Sequence, residues 1–154
     1  MSCYSQVCDA VLSFLRYVSP SVIAVILGGF IFQQYFVARA NECSFIDYLI
    51  TGLDELRSDV FEYWSLDVNA KNRNQARFLE AKIKGAIKSL TSELRSYSQR
   101  YCSRTDFGPL MIEVSDACTG GQFEVAERSA DSGRYLSVVN SLHRVKYELM
   151  RRKL

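Results

Sequence analysis

The chain has 154 residues, 48% of them hydrophobic and 23% charged, a composition that excludes disorder as the dominant state and suits one domain with an appendage. Two prolines and eight glycines exclude collagen-like and linker-rich chains. A net charge of +2 does not indicate a nucleic-acid partner.

That average hides an uneven distribution. No charged residue lies between Arg16 and Arg39, a gap of 22 residues. As a helix this gap would measure about 33 Å, against about 30 Å for a hydrocarbon core. Its centre runs Val22-Ile23-Ala24-Val25-Ile26-Leu27, then Gly28-Gly29, then Phe30-Ile31-Phe32. Ser19-Pro20 supplies an N-cap and a first-turn proline. Tyr17 and Tyr35 suit the two interfaces. The spacing therefore predicts a single transmembrane helix over 17–40, preceded by a short segment, 1–16, that could lie on the outer interface. A buried core helix and a cleaved leader ending at Ala38-Arg39-Ala40 are the rival readings of this stretch.

Of the 19 Lys and Arg residues, only Arg16 precedes the gap. Positive charge stays inside, so the C-terminal part is expected in the cytoplasm, with the span in the plasma (inner) membrane. Gln33 and Gln34 would lack partners in lipid, and Gly28-Gly29 permits close helix approach. These four residues are the expected self-association face or pore lining.

Residues 41–154 read as a cytoplasmic four-helix-type bundle. In 45–64, Phe45, Leu49, Leu53, Leu56, Val60 and Trp64 recur at steps of three and four. Asp54, Glu55 and Asp59 fall between them, on an expected solvated face. Asn69, Asn72 and Asn74 mark a polar connection. In 75–101, Leu79, Ile83, Ile87, Leu90, Leu94, Tyr97 and Tyr101 form one stripe. Phe107-Gly108-Pro109 breaks the pattern, and a short helix follows over 110–118. Thr119-Gly120-Gly121 ends it, and Phe123, Val125 and Ala126 suggest a further turn or two. The last helix, 134–151, carries Leu136, Val139, Leu142, Val145 and Leu149. Nothing alternates with period two for long enough to demand a strand, so the fold class is all-α.

Charge alternates in blocks. Residues 42–67 hold seven acids against Arg57, and 71–104 hold nine bases against Glu80 and Glu93. Residues 106–131 hold six acids against Arg128, and 134–154 hold six bases against Glu148. Antiparallel neighbours of opposite sign would meet favourably. Each exposed pair is worth only about 0–1 kcal/mol, so the pattern speaks for register more than stability.

No catalytic constellation emerges, and the chain is not expected to be an enzyme or to hold a cofactor or metal. His143 is the single histidine. Arg134 lies too far from it for the Arg–His motif of small helical ribonucleases of the HEPN class. The five cysteines, Cys3, Cys8, Cys43, Cys102 and Cys118, form no CxxC. Thr119-Gly120-Gly121 lacks the phosphate-loop pattern. Arg151-Arg152-Lys153 is a basic cluster that could meet anionic lipid or a partner.

The layout, an N-terminal span and a helical domain without a catalytic set, resembles small membrane effectors that accompany bacterial immune systems. Examples are the membrane proteins linked to retrons and the transmembrane accessory protein of type VI-B CRISPR loci. The resemblance implies an antiviral effector or accessory protein that homo-oligomerises and perturbs or perforates the membrane. The alternative is a non-enzymatic anchor or scaffold that recruits a cytoplasmic protein through the bundle.

Overall fold

Steps of three and four between apolar residues become four helices in the computed structural model, which describes residues 20–101 and 105–153. They are α1 (Pro20–Ser65), α2 (Arg73–Arg100), α3 (Gly108–Thr119) and α4 (Ser132–Lys153). Among the described residues there is no strand, only an isolated antiparallel bridge between Val68 and Arg128. The all-α reading therefore stands.

The expected span and the expected first helix are not separate elements. Both lie in α1, because nothing between Tyr35 and Ser44 is a helix breaker. The chain divides into two units, Met1–Asn41 and Glu42–Leu154. The segment 1–16, its cysteines Cys3 and Cys8, residues 17–19 of the expected span, and Cys102 lie outside the described residues.

In the first unit, every residue from 24 to 38 is exposed. Among the described residues no helix is long and apolar enough to cross a membrane. The expected span of 17–40 is thus not supported as such. Gln33, Gln34 and the two glycines dilute its apolar character.

The second unit is an up-down-up-down bundle. Of the expected α1 stripe, Leu49, Leu53, Leu56, Val60 and Trp64 are buried, as helical periodicity requires of a core face, while Phe45 is half-buried and Ile46 takes the core position beside it. Against it runs α2, antiparallel: Tyr48 bonds Glu93, Asp59 pairs with Lys82, and Tyr63 bonds Glu80. On α2 the buried residues are Leu79, Ile83, Ile87, Leu90, Leu94 and Tyr97, while Tyr101 is half-buried. Helix α3 buries Met111, Val114, Ala117 and Cys118 and pairs with α4 through Glu113 and Arg144. Helix α4 closes the ring on α1, also antiparallel, through Lys146–Asp54 at 2.8 Å and Lys153–Asp47 at 2.5 Å. Each of these ion pairs joins neighbouring helices from blocks of opposite sign.

The helix ends follow local chemistry. The Asp106 carboxylate accepts the Gly108 N–H at 2.9 Å at the start of α3, where Pro109 occupies the first turn. Asp131 accepts the Arg134 N–H at 2.9 Å at the start of α4. Between α1 and α2, Asn72 receives the Asn69 N–H and donates to the Asp67 carbonyl, both at 2.8 Å.

Three expectations are corrected here. Residues 123–126 form no helical turn; Glu124 has φ 64°, outside the helical region. Asp59 is not on a solvated face: it is buried, and its carboxylate takes Lys82 Nζ at 2.6 Å. Leu136 is not core; it is 61% exposed, and α4 instead buries Val138, Ser141, Leu142, Val145 and Leu149.

Candidate functional site

The expected site residues fall on two separate stretches. Gly28, Gly29, Gln33 and Gln34 all lie on the exposed part of α1 in the first unit. Successive residues on a helix point 100° apart, so Gln33 and Gln34 occupy adjacent faces, and Gly29 shares the Gln33 face four residues away. A Cβ built at Gly28 or Gly29 would meet nothing within 4 Å. The neighbouring large side chains are well exposed, Val25 at 74%, Ile31 at 67% and Tyr35 at 66%. Phe32 and Phe36 pack on each other at 4.3 Å between centroids. Polar amides therefore interrupt a helix surface that is otherwise apolar on every side.

The basic cluster at the end of α4 is partly engaged within the chain. Lys153 pairs with Asp47, and Arg151 lies 3.5 Å from Glu148. Arg152 also has an interaction of its own. The cluster is less a free cationic patch than its sequence indicates.

The densest polar chemistry lies where residue spacing did not point, at the bundle end formed by the α1–α2 connection and the segment before α4. Arg128 is buried there, with its guanidinium carbon 4.2 Å from the Tyr63 ring centroid and 4.6 Å from that of Trp64. Its nitrogens donate to the carbonyls of Tyr63, Leu66 and Ser129. Two of those residues mark the end of α1. The cation thus satisfies carbonyls that a helix leaves unpaired, at the negative end of its dipole.

Cation–π contact with two aromatic rings replaces part of the water that this charge lost. Arg128 Nε and Trp64 Nε1 have no acceptor among the described residues. The backbone bonds Val68 N–H to Arg128 carbonyl at 2.8 Å and Asp131 N–H to Trp64 carbonyl at 2.9 Å complete the clasp.

Tyr63 ties this clasp to α2. Its hydroxyl donates to the buried Glu80 carboxylate at 3.1 Å and accepts the Glu124 N–H at 3.1 Å. Burial pushes the Tyr63 hydroxyl above its usual pKa, with Arg128 and the Glu124 amide pulling the other way. Beside it is a polar cavity of about 360 Å³, lined among others by Arg73, Arg77, Glu80 and Glu124. Gly121, at φ 67°, lets the Arg134 guanidinium approach: a Cβ there would sit 2.5 Å from a guanidinium nitrogen. The glycine that tolerates left-handed geometry is thus Gly121, while Gly120 is extended.

The sequence carried one sign of this clasp, a lone base, Arg128, in an acidic block, five residues from an aromatic. What it lacked was any indication of the aromatic pair 64 residues upstream.

His143 is exposed on α4, beside a shallow cavity of about 190 Å³ shared with Leu53, Asp54 and Met150. Cys118 is buried, and desolvation pushes its thiol up to about 12, which makes it a poor nucleophile at neutral pH. Cys43 is half-buried. Among the described residues, no group of three or more His, Cys, Asp or Glu side chains could hold a metal ion. No family model, curated protein or solved structure matches the chain.

Proposed function

We propose that this is a single-pass membrane protein that self-associates through its N-terminal helix and carries its helical bundle on the cytoplasmic side. The observation that supports this reading is the exposure of residues 24–38 on every side of α1, without a single charge. An apolar surface of that extent is not left in water; lipid or other apolar helices must cover it. The described part of α1 is not by itself long and apolar enough to cross a membrane. The charge-free gap also includes residues 17–19, which lie outside the described residues, and the span we propose includes them. The excess of Lys and Arg after the gap supports the orientation.

In lipid, Gln33 and Gln34 would each need hydrogen-bond partners, and like glutamines on neighbouring copies supply them. Clustered copies with these amides inward would line a polar path through the bilayer. That gives the more specific form of the reading, an effector that perturbs or perforates the membrane. Its antiviral form rests on the layout alone. The second reading, an anchor that recruits a cytoplasmic protein through the bundle, is favoured by exposed apolar side chains on the bundle itself, such as Phe61, Phe78 and Tyr147.

Dye entry into cells that express the full chain separates the two. The parent is expected to admit dye, and a Gln33→Leu/Gln34→Leu variant matched for membrane level is not. Dye entry that is equal in both would remove the glutamines from the mechanism. Absence of the parent from the membrane fraction would end the membrane reading itself.

A further inference from the structure

Helix α4 has two apolar faces. One is the core face already described. The other consists of Leu136, Val139, Tyr147 and Met150 with His143 among them, at steps of three and four. It lies on the outer side of α4, where Val139 is half-buried and Val139, His143, Tyr147 and Met150 line a cavity with Leu53 and Asp54 of α1. Leu136 is 61% exposed, Tyr147 58% and Met150 48%. This ridge runs for roughly 21 Å along the helix. Two bases, Arg144 and Arg151, flank it; each pairs within the chain, with Glu113 and Glu148, and its side chain is still 60% exposed.

On the α1–α2 side of the same bundle lies a groove of about 360 Å³. Its floor includes Gly52, Gly85 and Ala86, its rim carries Glu55 and Glu93, and the buried Asp59 beside them is paired with Lys82. The two glycines differ. A Cβ at Gly52 would come within 2.9 Å of the Leu90 side chain, so packing inside the chain accounts for that glycine. A Cβ at Gly85 would meet nothing within 4 Å. Glycine within a helix weakens it relative to alanine, and nothing among the described residues calls for glycine there.

We infer that the basic-flanked ridge of α4 docks into the acid-rimmed groove between α1 and α2 of a second copy of this chain. Charge decides between this arrangement and its alternatives. Two α4 ridges facing each other would bring Arg144 and Arg151 against their own kind. Two grooves facing each other would oppose Glu55 and Glu93 in the same way. Ridge against groove is the pairing in which opposite signs meet. The bare floor at Gly85 lets the large side chains of the ridge come close.

The contact joins two different surfaces, and each copy carries both. Such a contact is head-to-tail and repeats, so it closes into a ring or extends into a row beyond the dimer. This inference rests on the self-association reading above and gives the bundle a part in it.

The test uses full-length chains carrying two different tags, co-expressed, with capture by one tag and detection of the other. Three variants are compared with the parent: Gly85→Leu, which fills the groove floor; Arg144→Glu/Arg151→Glu; and Glu55→Lys/Glu93→Lys. Each variant paired with itself is expected to lose roughly tenfold in capture. Gly85→Leu should do so without a fall in the thermal midpoint, because leucine is the better helix former, and this separates lost docking from lost folding. Co-expression of the two charge-reversed variants should restore capture, since opposite signs meet again. If the parent copies capture each other and all three variants do so equally well, the ridge–groove contact is overturned while self-association stands. If the parent copies do not capture each other, self-association falls and the contact with it.

Discussion

The two halves of α1 obey opposite rules. Residues 46–64 bury one stripe at steps of three and four and leave acids on the rest of the surface, whereas residues 24–38 bury nothing and carry no charge. Both halves are rich in large apolar side chains, so hydrophobicity alone does not decide burial. What decides it is whether the apolar residues keep to one face that neighbouring helices can cover. In 46–64, α2 and α4 do so. In 24–38 the apolar side chains point in all directions, and only a surround that is apolar on all sides matches them.

The sharpest way to break this comparison is to shorten one side chain in each half. Leu53 is 1% exposed, and Leu53→Ala is expected to cost about 2–5 kcal/mol, the transfer loss plus the cavity. Ile31 is 67% exposed, and Ile31→Ala is expected to change bundle stability by less than about 0.5 kcal/mol. Urea unfolding of the full chain in detergent, followed by fluorescence of the single tryptophan Trp64, measures both. Equal losses would mean that 24–38 is covered by protein in the same way as the core.

The next effect concerns the clasp that ends the amphipathic half of α1. Arg128→Leu keeps apolar bulk but takes the guanidinium donor from the carbonyls of Leu66 and Ser129 and leaves that of Tyr63 with the Leu66 N–H at 3.3 Å, at a cost of about 1–3 kcal/mol. Arg128→Lys is expected to recover little, because an ammonium neither forks across three carbonyls nor lies over both the Tyr63 and Trp64 rings while it does so. Full recovery by lysine would show that charge at the helix end, and not the forked guanidinium over the two rings, is what matters.

How far these features were legible in the sequence depends on whether the cause was local. The α1 and α2 stripes and the break at Phe107-Gly108-Pro109 follow from periodicity and backbone chemistry, and they stand. The α4 stripe was misread for a geometric reason. Leu136, Val139, Leu142 and Val145 are spaced by three, and each step of three falls short of a full turn by about 60°. The run therefore winds from the outer surface at Leu136 to the core at Leu142 and Val145 instead of holding one face. The Arg128 clasp was beyond reach because its partners are remote in sequence. Asp59 was misplaced because its burial depends on the reach of Lys82 across from α2. Of the expected site residues, Gly28, Gly29, Gln33 and Gln34 were legible as an interruption of an apolar run. What covers that run cannot be written in one chain's periodicity.

The bundle core also carries a titration that the exposed half of α1 lacks. Desolvation pushes the Cys118 thiol up to about 12 from its ordinary 9.0. The folded state therefore holds its proton where the unfolded chain releases it. The resulting stabilisation is fully present below pH 9 and is lost as pH rises toward 12, at about 1.4 kcal/mol per pH unit. Tyr63 and Lys82, both raised, act in the same direction at higher pH. Unfolding midpoints are expected to fall above pH 9, and less steeply in Cys118→Ala. Identical slopes in parent and variant would mean that the thiol is solvated in the folded chain.

The smallest expected effect concerns the charges that distinguish the halves most visibly. Lys146 reaches Asp54 at 2.8 Å, with side chains 21% and 40% exposed. Partial exposure means that water and salt already screen the attraction. Lys146→Met keeps most of the stem that lies along Leu53 and Met150, and it is expected to cost about 0.2–1 kcal/mol. At about 1 M salt, where the Debye length is near 3 Å, that difference should shrink further. The alternating blocks then act mainly by excluding wrong neighbours. Pairing α1 against α3 would set acids on acids, while α1 against α2 and α4 sets acids on bases. A cost well above 1 kcal/mol that survives high salt would instead make Lys146–Asp54 a buried pair. The division of labour along α1, with apolar spacing for stability and charge for choice of neighbour, would then have to be withdrawn.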